Sequence, residues 1–166
     1  SKLICGAFGT LVVLSEITFK VLPEPEENKT LVIHNQKVES ATNLLDKGIS
    51  SSNDVSGATF LPIEPKISGC IMNIEDTFRL NDLKQNGSHT AFRIEGSKNS
   101  VDQRIQNLMK DLKINNFDFS ILQKHQSEIF WNKIKNLEFF VSSTNNIARI
   151  VIPPSECLQL IYQLSN

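Results

Sequence analysis

An α+β fold is what the sequence predicts, and three observations carry that reading. From Lys29 onward, strand-like and helix-like stretches alternate in the order β-α-β-β-α-β. That order is the split β-α-β, or ferredoxin-like, pattern. Within it, Val101, Ile105, Leu108, Met109 and Leu112 recur at the spacing of one face of a 3.6-residue helix. Finally, the run "PEPEEN" interrupts the chain after an opening β-type segment. Two prolines and three glutamates cannot continue a buried strand.

The opening segment is Leu11 to Leu22. Leu11, Val13, Ile17, Phe19 and Val21 are apolar at odd positions, while the even positions pass from Val12 and Leu14 to Glu16, Thr18 and Lys20. This predicts a strand buried on both faces in its first half and on one face in its second. Twelve extended residues span roughly 40 Å, long enough to expect a bulge or break.

After the interruption, Thr30 to His34 reads as a short strand. Val38, Ala41, Leu44 and Leu45 form a helical stripe, and Gly48 suits the residue just past that helix. Ala58 to Ile63 reads as a strand, stopped by Pro62 and Pro65, and "GCIMNIEDTF" is a further strand candidate. Thr90 to Glu95 is a strand with Ala91 and Arg93 on one face and Phe92 and Ile94 toward the core. Ser100 and Gln103 have capping-box spacing at the start of the best-specified helix. Phe117 to Leu122 is strand-like. Ile129, Phe130, Ile134 and Leu137 give another helical face, with Trp131 beside it. Ile147 to Ile152 reads as a strand ended by Pro153-Pro154, and Ser155 suits the cap of a last helix carrying Leu158, Ile161 and Leu164. This final strand and helix look like the beginning of a unit that does not finish.

Composition narrows the function classes. Of 166 residues, 40% are apolar and 21% charged, which suits one domain's worth of core and an ordinary surface. A formal net charge of −1 leaves no electrostatic footprint for nucleic acid. The longest apolar run falls far below the roughly 18 residues of a membrane span. Cys5, Cys70 and Cys157 are few and scattered, as expected of reduced structural thiols in a cytosolic setting. No C-x-x-C spacing suggests zinc or an iron–sulfur cluster, so no metal site is expected.

Candidates for chemistry are sparse. His34, His89 and His125 are far apart in sequence and form no ligand pattern. His125 and Glu128 read as a surface pair one helical turn apart, and Glu75 and Asp76 point apart on a strand. There is no nucleophile elbow and no P-loop. Trp131 and Tyr162 read as core or interface anchors. What remains is Gly6-Ala7-Phe8-Gly9-Thr10-Leu11. It is either an ordinary tight turn, or a place where backbone N–H groups approach a phosphate or a purine edge unhindered by side chains.

The longer string is more specific. "SKLICGAFGTLVVLSEITFKVLPEPE" resembles "S-(K/R)-L-x-x-G-A-F-G-T-L-G-V-L-x-E-x-x-x-K-V-L-P-x-P-E" of the FAD-binding subunit of bacterial glycolate oxidase, a flavoprotein of the vanillyl-alcohol-oxidase (PCMH) type. Downstream, "FWNKIKN…FF" at Phe130 to Phe140 and "IARIVIPP" at Ile147 to Pro154 are similar to that family's "FW…L(R/K)…FF" and "L-W-R-L-S-V-P-P", in the same order. "TLVI" at Thr30 and "FLPIEP" at Phe60 are weaker echoes. The resemblance runs along the whole chain but is dense in motifs only over the first 26 residues.

The resemblance implies a fragment incomplete at both ends. Residues 1–26 would be the last strands of the FAD-binding domain, and residues 27–166 most of an α+β cap over the flavin. It places Gly6, Gly9, Thr10, Leu11, Val12 and Val13 along the FAD, largely through backbone groups. Val12 departs from the pattern, which has glycine there. The implied activity is oxidation of glycolate to glyoxylate with hydride transfer to FAD. The implied partners are a second FAD-containing subunit, an iron–sulfur subunit and a small 2-hydroxy-acid substrate. The implied location is cytoplasmic, with peripheral attachment at the inner membrane through the complex. No residue stands out as a catalytic base. Two alternatives stay open: a flavin dehydrogenase of another 2-hydroxy acid such as D-lactate, and a non-enzymatic ferredoxin-like binding module, since fold does not fix function.

Overall fold

Leu31, Val32 and Ile33 are apolar in succession, the mark of a strand covered on both faces, and the strand that carries them lies inside a sheet. The computed structural model describes residues 3–21, 23–62, 87–138 and 149–164. Strand β1 (Glu27–His34) runs between β3 (His89–Gly96) and the short β4 (Phe119–Leu122), and β2 (Val55–Leu61) flanks β3. All three pairings are antiparallel and the sheet order is β2-β3-β1-β4. Helix α1 (Val38–Ile49) joins β1 to β2, and α2 (Lys98–Asp111) with a 3₁₀ turn at Ile114–Asn116 joins β3 to β4. The two β-α-β units therefore interleave, each inserting a strand between the two of the other. Helices α3 (Lys124–Lys135) and α4 (Cys157–Leu164) follow. The fold is α+β: a four-stranded open antiparallel sheet with four helices.

Alternation along β1 sorts the core into two layers. Leu31 and Ile33 point to α1 and α2, where Leu44, Phe92, Ile94, Val101, Ile105, Leu108 and Leu112 close the larger cluster. Val32 points the other way and packs with Ala91, Leu61, Leu122 and Phe130 beneath α3. The helical stripe expected from Val101 to Leu112 is thus the buried face of α2 and its cap. Ala91, expected on the outer side of β3, is also buried, because α3 covers that face.

Several boundaries differ from expectation for physical reasons. Gly48 lies inside α1 rather than beyond it. Its missing side chain lets the helix approach β3, since a Cβ there would lie 2.3 Å from Phe92 Cε1. The residue after α1 is Ser50, whose N–H bonds the Asp46 carbonyl. Helix α2 starts at Lys98 with Ser97 as N-cap, so Ser100 sits in the first turn and caps nothing. Gln123 heads α3, its N–H donating to Gln126 Oε1 at 3.2 Å. The strand after Pro25 begins at Glu27, inside "PEPEEN", because β3 offers pairing as far as Gly96.

The largest correction concerns Leu11 to Val21. This stretch forms no strand, and Leu11, Val13, Ile17, Phe19 and Val21 are all exposed. Alternating apolar residues make a strand only where another strand pairs with them, and no described strand does so. Residues 149–153 are likewise without strand structure, and the rest of the Ile147–Ile152 expectation lies outside the described residues. So do the strand candidate "GCIMNIEDTF" and the Glu75-Asp76 pair. Ser155 stands in a 3₁₀ turn, Pro154–Glu156, that leads into α4. Among the described residues, no helix is long and apolar enough to cross a membrane.

Candidate functional site

The residues expected along a cofactor form a compact turn. Thr10 N–H and Oγ1 both donate to the Ala7 carbonyl, at 2.9 and 2.6 Å, and the Ala7 N–H donates to the Ile4 carbonyl at 3.2 Å. Gly6 and Gly9 have φ of +81° and +76°, the left-handed region that glycine enters without cost. Nothing lies within 4 Å of where a Cβ would stand on either. Here the glycines serve the turn's backbone, and the space around them is open. Leu11, Val12 and Val13 follow without helix or strand structure, with Val12 less exposed than Val13.

The α3-facing side of the sheet gathers the buried polar groups. Register places Asn28 opposite Glu95, Thr30 opposite Arg93, Val32 opposite Ala91 and His34 opposite His89. At the middle of this ladder, Trp131 Nε1–H donates to Thr30 Oγ1 at 2.8 Å. Thr30 Oγ1 also shares a 2.7 Å hydrogen bond with Ser127 Oγ of α3. The Arg93 guanidinium lies over the Trp131 ring, 5.1 Å from its centroid, and Arg93 Nε donates to Ser56 Oγ at 3.1 Å. Trp131 is therefore the anchor expected, with its polar edge satisfied inside the fold.

At one end of the ladder lies a cleft of about 210 Å³. Its walls include Glu24 before β1, Asn28 on β1, Arg93 and Glu95 on β3, and Lys124 and Glu128 on α3. Asn28 is buried, and its Oδ1 has no hydrogen-bond partner. Glu95 Oε2 lies 3.5 Å from Arg93 Nε, and Lys124 Nζ donates to the Glu26 carbonyl at 3.1 Å. Each cation in the wall is thus already held by the chain.

At the other end, His34 and His89 meet. Their Nδ1 atoms are 3.1 Å apart with rings edge to face, and His34 Nε2 lies 2.7 Å from Ser120 Oγ. Burial, followed by the neighbouring His34, pushes the His89 pKa down to about 4. These histidines are distant in sequence, and only the β1–β3 register joins them. The signal that would have found them is parity: each sits at the end of a paired strand, on the same face. Among the described residues no group of three or more His, Cys, Asp or Glu side chains could hold a metal ion. His125 and Glu128, one turn apart on α3, make no ion pair.

Compared with models of protein families and with curated proteins, the chain matches none.

Proposed function

We propose that the chain serves in the FAD-binding subunit of a glycolate-oxidising flavoprotein, with residues 27–166 as a ferredoxin-like cap and the Gly6–Val13 segment as one wall of the flavin site. The observation that carries the reading is the opening string itself, which here takes the form of a glycine turn with open space beside it and a row of exposed apolar side chains beyond it. That form suits backbone approach to a cofactor followed by packing against a flavin-binding domain.

The residues present fit a flavin as a partial wall. Gly6 and Gly9 put no side chain between ligand and backbone. Thr10 keeps the turn closed through its two bonds to Ala7. Leu11, Val12 and Val13 offer apolar surface to exclude water. The bound flavin would accept a hydride from the α-carbon of the 2-hydroxy acid; the protein's part is orientation and electrostatics. A second flavin subunit and an iron–sulfur subunit would carry the electrons onward.

The test is the intact protein produced together with its neighbouring subunits. The expected outcome is a complex that retains FAD and reduces a dye in the presence of glycolate. A colourless complex inactive on glycolate, D-lactate and related 2-hydroxy acids overturns the reading. Preference for D-lactate over glycolate moves the substrate and keeps the chemistry.

A second reading has one observation in its favour. The two core clusters draw on residues 31–134 and use no residue of 3–21. A non-enzymatic ferredoxin-like binding module would need nothing more. It predicts a partner for the sheet-and-helix unit and no flavin in any preparation.

A further inference from the structure

We propose that Ser120, His34 and His89 form a nucleophile relay in which the Ser120 hydroxyl takes the acyl group of a small ester. Ser120 Oγ lies 2.7 Å from His34 Nε2, and His34 Nδ1 lies 3.1 Å from His89 Nδ1. A nucleophile, a base and a third group that orients the base are thus each within hydrogen-bond reach of the next. Register assembles them. His34 and His89 are opposed at the end of the β1–β3 pair, and Ser120 stands on β4 opposite Val32, two residues before His34 on the same face of β1.

Each member is suited to its role. With its proton on Nδ1, His34 donates to His89 and turns the Nε2 lone pair toward Ser120. Burial keeps the His89 ring neutral near pH 7, so its Nδ1 can accept that proton's hydrogen bond. The base is buried, while Ser120 is half-buried on the outer strand of the sheet. That edge also supplies a donor. His34 N–H bonds the Asp118 carbonyl at 2.8 Å, so by the alternation of an antiparallel ladder the N–H groups of Phe119 and Ile121 face away from β1. No described strand pairs with that side of β4. The Ile121 N–H, next to the nucleophile, is left to a carbonyl oxygen that approaches the edge and gains charge as it reacts.

The chemistry is acyl transfer without any redox change. Ser120 Oγ attacks the carbonyl carbon while its proton passes to His34 Nε2. That proton leaves with the alcohol oxygen as the ester C–O bond breaks, and Ser120 is left acylated. Water, giving its proton to the same nitrogen, then releases the carboxylic acid and restores the hydroxyl. The flavoprotein reading is not required for this step. Its readout is FAD, whereas this one is an ester on a serine.

The experiment treats the 166-residue chain with p-nitrophenyl acetate and, separately, with an alkyl fluorophosphonate, which loses fluoride to the attacking oxygen. Adducts are located by peptide mass spectrometry and p-nitrophenolate is followed by absorbance. The expected result is an adduct at Ser120 that forms in the native chain, not in denaturant, and is lost in Ser120→Ala. His34→Gln keeps a polar side chain but no base, and should slow acylation about 100-fold or more, the usual share of a general base. His89 touches no reacting atom and is a positioning residue. His89→Gln, whose amide oxygen can still accept from His34, should react faster than His89→Leu, with Trp131 fluorescence checking that each variant is folded. No adduct at Ser120 of the native chain, or equal labelling in denaturant, overturns the proposal without recourse to any variant. So does an undiminished rate in a folded His34→Gln, or equal rates in the two His89 variants.

Discussion

His34 and His89 face each other across the β1–β3 pair with Nδ1 atoms 3.1 Å apart, both nearly excluded from water. One Nδ1 must donate and the other accept, so the pair holds a single proton between the two atoms. Protonating both rings would set N–H against N–H across the pair.

Acid should therefore loosen the fold at this point. The His89 pKa is lowered to about 4, chiefly by burial and then by His34, against about 6.5 in an unfolded chain. Between those values the unfolded state binds more protons, so stability falls as the pH drops from about 6.5 to about 4. Below about 4 both states are protonated and the loss is complete. The shift corresponds to about 3 kcal/mol. Chemical denaturation at a series of pH values checks this, and a His89→Leu variant should flatten the profile in that window. An unchanged slope in the variant refutes the assignment.

Thr30 joins β1 to α3 through two hydrogen bonds, from Trp131 Nε1–H and with Ser127 Oγ. Thr30→Val keeps the shape and removes both. The indole N–H and a fully buried Ser127 hydroxyl would then lack a partner, at a cost of about 1–3 kcal/mol. Thr30→Ser should recover most of it. Denaturation followed by Trp131 fluorescence reads both variants; equal stability of Thr30→Val and the parent would show the network carries no net weight.

Much of this architecture was legible in advance because the sheet is central and its helices amphipathic. Thr30–His34 read as a strand, and Val101–Leu112 declared the buried face of α2. The polar ladder was not legible, since His34 and His89, or Thr30 and Trp131, become neighbours only once register is known. Nor could Leu11–Val21 be settled locally. Its alternation states which side chains share a face, while strand formation depends on a pairing partner that no property of the segment supplies. The cleft stayed hidden for a similar reason: Asn28 closes the "PEPEEN" interruption, and it becomes a buried wall residue only once β1 extends to Glu27 and α3 folds over it.

Gly48 should reverse the usual helix rule. Glycine inside a helix ordinarily costs up to about 1 kcal/mol against alanine. In α1, however, an alanine Cβ would stand 2.3 Å from Phe92 Cε1, and Phe92 is fully buried at the centre of the larger core cluster. Gly48→Ala should destabilise by about 1–3 kcal/mol through overpacking. Adding Phe92→Leu to Gly48→Ala should cost less than the sum of the two single changes, because the smaller ring-free side chain gives back the space. Thermal unfolding of the four proteins of the cycle measures this, and strict additivity would place the clash elsewhere.

Val12 separates folding from the proposed flavin contact. It lies in the irregular stretch after the Gly6–Thr10 turn, outside both core clusters, and is 42% exposed. Replacing it with glycine removes no core contact, so stability should stay within about 0.5 kcal/mol of the parent. If the turn lies along FAD, the same change removes two methyl groups from the approaching backbone. The Val12→Gly variant of the intact oxidase complex should then retain more FAD through purification than the parent does. Val12→Phe should retain less, with the same unfolding midpoint. Cofactor content by absorbance, set beside denaturation of each variant, distinguishes the two effects. FAD retention indifferent to glycine, valine and phenylalanine alike would remove this segment from the flavin wall.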